Sequence, residues 1–131
     1  MNASRYERIL RLVNVLVAAV SAAFGLLALL APAAFPGATG QAGPDLFAEM
    51  YGARSLLIAA AVTWLAVTRR DLHPMLVLAG AVQLADLAIN AASGSPATLP
   101  GPALAAAVHL TSAHLLRPAG PSKRHPAGES S

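Results

Sequence analysis

Met50–Arg70 is an apolar stretch of helix length with a charge inside it. The run MYGARSLLIAAAVTWLAVTRR carries Arg54 near its start and closes on Arg69–Arg70. Such a charge costs roughly 2.5–3.5 kcal/mol near the centre of a bilayer, so Arg54 must find a partner or line a polar cavity. Which partner it takes decides how the remaining helices are arranged.

The rest of the chain has the same character. Of 131 residues, 56% are hydrophobic and only 11% charged, against about 25% charged in ordinary soluble domains. This is the composition of a single membrane domain. The formal charge of +3 does not point to nucleic acid, because the basic residues flank apolar segments instead of forming a patch with aromatics. Cysteine is absent, which removes disulfides, thiolate metal sites and dithiol redox chemistry.

Four spans are expected, at about Leu12–Leu30, Leu46–Thr68, Leu72–Ala92 and Pro102–Arg117. The fourth, about 16 residues long, falls just below a full crossing at 1.5 Å per residue. Asp45 and Asp71 stand where N-caps of the second and third helices belong, and Pro74 is tolerated in a first turn. Ser93-Gly94 and Pro118 act as stops. Residues 1–117 then form an all-α four-helix membrane bundle, and 118–131, a mixture of Pro, Gly, Ser and charge, read as a disordered cytoplasmic tail. A cleaved secretory signal ending near Ala31-Pro32-Ala33 is the alternative for the first span, although its apolar run is longer than the ~7–15 residues usual in signals.

Basic residues set the orientation. Arg5, Arg8 and Arg11 precede the first span, Arg69 and Arg70 join the second to the third, and Arg117, Lys123 and Arg124 follow the fourth. The Pro/Gly-rich loops 31–45 and 95–101 contain no Lys or Arg. The positive-inside rule therefore places both termini in the cytoplasm of a multi-pass cell-membrane protein.

Small and polar residues recur on one face of each helix. The faces are Asn14, Ala18, Ser21, Gly25 and Ala28; Ala48, Gly52, Ser55 and Ala59; Ala79, Gln83, Asp86, Asn90 and Ser93; and His109, Ser112 and Leu116. Most of these serve close packing. Arg54, Asp86 and His109 stand apart, since counting from the outer helix ends puts them at similar depths of ~14, ~12 and ~11 Å. An Arg54–Asp86 pair with His109 in reach is expected, forming a ligand pocket with Asn90, Gln83, Glu49 and Tyr51 nearby. The pair can equally be a staple between two helices. Glu49 also suits a helix's first turn. His109 and His114, five apart, diverge around a helix, which argues against haem, and no metal site is expected. Trp64 fits an interfacial or lipid-facing aromatic.

Gly52-Ala53-Arg54 opening one helix, Arg69-Arg70 closing it, Asp86 late in the next and His109 in the last resemble the DoxX-like small four-helix membrane proteins of bacteria. The resemblance implies a four-helix bundle in the bacterial cytoplasmic membrane and, from some relatives, quinone-linked redox chemistry. The leading expectation is a polar intramembrane pocket for a lipid-like or quinone-like molecule, or a subunit of a membrane redox complex. A ligand-free structural or assembly protein is the alternative, and a small dimeric exporter a further one; the partners expected are the lipid bilayer and a membrane redox protein or a second copy in a homo-oligomer. Such exporters use an acidic residue in helix one, where this chain offers only Asn14 and Ser21. Binding is expected in preference to catalysis, which would need an acid and a base facing one substrate.

Overall fold

The computed structural model describes residues 3–34, 46–92, 94 and 98–117. Helix α1 spans Ala3–Leu30, α2 Leu46–Val67, α3 His73–Ala92 and α4 Pro100–Leu115. Helix α1 starts nine residues earlier than its apolar run. The reason is local: Glu7 and Arg11, four apart, pair at 2.7 Å, in the Glu-before-basic order that supports a helix. Pro32 ends it, followed by a single 3₁₀ turn over Pro32–Ala34, because proline has no N–H for the next turn.

The other helix ends are equally local. At the end of α2, the Arg70 N–H donates to the Leu65 carbonyl and the Arg69 N–H to that of Ala66, with Arg69 at φ 54°. This is a Schellman closure, with arginine where glycine is usual. Asp71 Oδ1 accepts the His73 N–H at 3.1 Å and caps α3. Beyond α3, Gly94 turns the chain at φ 71°, a conformation open to glycine without strain. Pro100 occupies the first position of α4, where its missing N–H is no loss. The expected Asp45 cap and the tail 118–131 lie outside the described residues.

Helices α1, α2 and α3 are long and apolar enough to cross a membrane. Helix α4, with 16 residues, reaches only ~24 Å against a hydrocarbon core of ~30 Å. Among the described residues the fold is therefore all-helical, with three spans by length and a shorter fourth helix beside them.

The helices form a ring in chain order, closed by α4 against α1. Packing is densest within the α1/α2 and α3/α4 hairpins, whereas the backbones of α2 and α3 approach each other at few places. Small residues explain the density, since without a hydrophobic drive in lipid the helices must gain from close contact. A Cβ on Gly52 would stand 2.7 Å from the Gly25 carbonyl oxygen, and one on Gly80 2.5 Å from Leu110 Cδ2. Ala18, Ala59, Val62, Leu72, Leu76, Ala79 and Ala113 fill the centre from all four helices. The large apolar side chains point the other way: Leu16, Val20, Leu57, Trp64, Leu78 and Leu104 are exposed. An exterior of that kind is suited to lipid and would be an aggregation surface in water.

Candidate functional site

Two polar clusters join the hairpins across the ring. The first spans the open seam between α2 and α3. Arg54 lies two residues past the Gly52 contact, and its Nη2 donates to Asp86 Oδ1 at 2.6 Å. The partners differ sharply in exposure, the Arg54 side chain at 40% and that of Asp86 at 8%. The buried carboxylate is thereby neutralised, while the guanidinium, with five N–H donors, keeps one side turned outward. The Tyr51 ring centroid is 5.8 Å from the guanidinium carbon, within the range of a cation–π contact.

The remaining predicted residues are distributed around this pair. Gln83 is buried one turn from Asp86 on α3, and Asn90 is half-buried one turn on the other side. Tyr51 is half-buried and packs on Ala28 and Ala48. Glu49 is exposed in the first turn of α2, a favourable place for an anion.

His109 is not part of this group. Its ring Nδ1 meets Asn14 Oδ1 at 2.7 Å. Asn14 Nδ2 donates both to Ser112 Oγ at 2.7 Å and to the Leu10 carbonyl at 2.8 Å. The amide oxygen is thus the group that faces the ring, so Nδ1 carries the proton. Asn14, His109 and Ser112 are all buried, a polar knot between α1 and α4.

The register shows how far apart the clusters lie. Gly25 and Gly52 are in contact; Arg54 is two residues from that level and Asn14 eleven, both toward the same end. The separation along the axis is ~13 Å by this register and ~8 Å by the Gly80–Leu110 contact of α3 with α4, in either case more than one helical turn. The expectation that His109 shares the depth of Arg54 is corrected by the position of α4. Its contact with Asn14 sets Pro100 level with Ala23, so α4 begins ~10 Å short of the end of α1. Counting depth from the start of α4 as though it began at the surface misplaced the histidine. Asn14 and Ser112 belonged to predicted packing faces, but their bond to His109 was not anticipated.

A cleft of about 470 Å³ opens at the opposite end of the bundle from the α2 start, between the beginning of α1, the α2–α3 turn and the end of α4. None of the residues predicted for a ligand site lines it.

No family model, curated protein or solved structure matches this chain.

Proposed function

We propose that this is a four-span bundle with cytoplasmic termini that holds an oxygen-bearing, lipid-like molecule at Arg54, a quinone-like dicarbonyl being the best chemical fit. The single observation that carries the reading is the outward-facing guanidinium. Arg54 has one hydrogen bond, to Asp86, among the described residues, yet its side chain is 40% exposed in an apolar stretch. Unsatisfied N–H groups at that depth call for an acceptor. A carbonyl or ester oxygen arriving from the lipid phase supplies one, with Asp86 fixing the guanidinium plane and Tyr51 offering a ring face. Kinship with the DoxX-like proteins is part of the same proposal and rests on the residues quoted for it.

A second reading has its own support. The pair bridges α2 and α3, whose backbones approach each other at few places, so it also suits a staple in a structural or assembly protein, the exposed side of Arg54 being covered by another chain. Exchange of Arg54→Gln with Asp86→Asn separates the two. Both variants keep hydrogen-bonding capacity without charge, so the bundle should fold. Organic extracts of protein purified in mild detergent, assayed by mass spectrometry, should contain a quinone or lipid at near-stoichiometric level for the native chain and little for the exchanged one. Equal retention by both would leave the pair as a staple.

A further inference from the structure

The end of the bundle where α1 begins and α4 finishes is built from arginine. Arg11, Arg69, Arg70 and Arg117 line the cleft of about 470 Å³, inside the ~300–1,000 Å³ range of small-ligand sites. Two carboxylates share its lining, Glu7 and Asp71, and both are engaged. Glu7 Oε1 takes Arg11 Nη2 at 2.7 Å, and Asp71 Oδ1 accepts the His73 N–H. Arg11 is satisfied too. Its Nη1 donates to the carbonyls of Leu65 at 3.4 Å and Arg70 at 3.2 Å, which ties α1 to the α2–α3 turn. Arg69, Arg70 and Arg117 remain, all exposed. Among the described residues none of their side chains is paired with a carboxylate.

The backbone adds an independent observation. Arg69 sits at φ 54°, a conformation that costs a side-chain-bearing residue roughly 1–2 kcal/mol. Glycine would close α2 with less strain. A purely topogenic role requires only positive charge near the helix ends; it asks for neither a cleft nor an arginine in the left-handed position. Strain retained at such a position is a mark of a working site.

We infer that this cleft binds the phosphate group of a net-anionic molecule, one whose charge no cation of its own balances. The guanidinium forks of Arg69, Arg70 and Arg117 match phosphate oxygens in charge and geometry. The group arrives either as the headgroup of an anionic phospholipid or on a soluble phosphate ester. Leu72 and Leu116 also border the cleft, an apolar wall against which the glycerol of a lipid can rest.

The test uses the full chain in neutral detergent, with thermal unfolding followed against added phosphatidylglycerol, phosphatidylcholine or soluble glycerol phosphate. Phosphatidylglycerol should raise the midpoint saturably and phosphatidylcholine should not. If glycerol phosphate matches phosphatidylglycerol, the site stands and its carrier is soluble; if it is inert, the carrier is the lipid. Arg70→Gln and Arg117→Gln should each weaken half-saturation about fivefold, the size expected for one basic residue at an anionic lipid surface. Arg69→Gly should weaken it similarly while its ligand-free midpoint holds or rises, which separates lost binding from lost folding. Arg8→Gln, at an exposed arginine of α1 that does not line the cleft, should respond as the native chain does, which separates the site from general positive charge at this end. An unchanged response to phosphatidylglycerol in Arg69→Gly, Arg70→Gln and Arg117→Gln would overturn the site, as would equal effects of both lipids with glycerol phosphate inert.

Discussion

Asn14 and His109 meet side chain to side chain at 2.7 Å across 95 residues of sequence. With Ser112 they form the buried bond set that closes the helix ring between α1 and α4. At the far side of the ring, Arg54 and Asp86 bridge α2 and α3. The two hairpins are packed internally by small residues and joined to each other by a shared apolar centre and by these two polar links.

Removal of Asn14 should be felt on α4. Asn14→Ala leaves the His109 Nδ1–H and the Ser112 hydroxyl without their partner, at about 1–2 kcal/mol by the scale of interhelical bonds in membranes. Reversible unfolding in mixed micelles measures this. The Asn14→Ala, His109→Ala double variant should recover about 0.6–1.7 kcal/mol relative to the summed singles. Strictly additive losses would mean that the two side chains do not act together.

The Arg54–Asp86 pair makes a second cycle. Asp86→Ala strands a cation that cannot shed its charge, whereas Arg54→Ala strands a carboxylate that can protonate. Asp86→Ala should therefore be the more damaging. Because Arg54 is partly exposed, the coupling should be modest, about 1 kcal/mol within the usual range for contacting residues. A double variant as damaged as the sum of the singles would end the pairing account.

Gly52 and Gly101 offer a matched comparison. Gly52→Ala drives a Cβ against the Gly25 carbonyl, a backbone atom that cannot swing aside, and should cost about 1–3 kcal/mol by overpacking. Gly101→Ala meets nothing within 4 Å and should be neutral or stabilising by up to ~1 kcal/mol. Equal effects at the two sites would show that α1 and α2 are not held at that closeness.

Topology has a direct assay. Cysteine introduced at Gly40 or Ser95 should react with a membrane-impermeant reagent from outside intact cells, and cysteine at Arg70 only after lysis. Labelling of position 70 from outside would reverse the orientation drawn from the arginine distribution.

The sequence made the helices legible because the apolar runs and the Ser93-Gly94 stop act locally. It also made the inner faces legible: Asn14, Ala18, Gly25 and Ala28 on α1, and His109 and Ser112 on α4, are buried as a single packed stripe requires. The Arg54–Asp86 meeting followed from charge cost and from chain lengths that really do start near the same end. His109 lies at another depth than the residue count gives, beside Asn14, because that depth depends on where α4 begins, and the register of a short helix is set by its tertiary partner. Asn14 was the available clue. A lone amide in an apolar helix seeks a partner across the bundle, and the His109–Ser112 spacing of three residues supplies two on one face. In the sequence the cleft arginines carry only a topology signal, and nothing local announces that Arg69 takes the left-handed position.

The distance in sequence between Asn14 and His109 also has a consequence in time. At ~5–20 residues per second of synthesis, roughly 5–20 s pass between the emergence of one and that of the other. Through that interval Asn14 has no partner from α4, and its bond back to the Leu10 carbonyl shelters only part of the amide. Helix α4 enters last, is the shortest of the four, and is met by a waiting amide in an otherwise finished hairpin. Helix α4 packs mainly on α3, and the waiting amide is what then sets its register against α1.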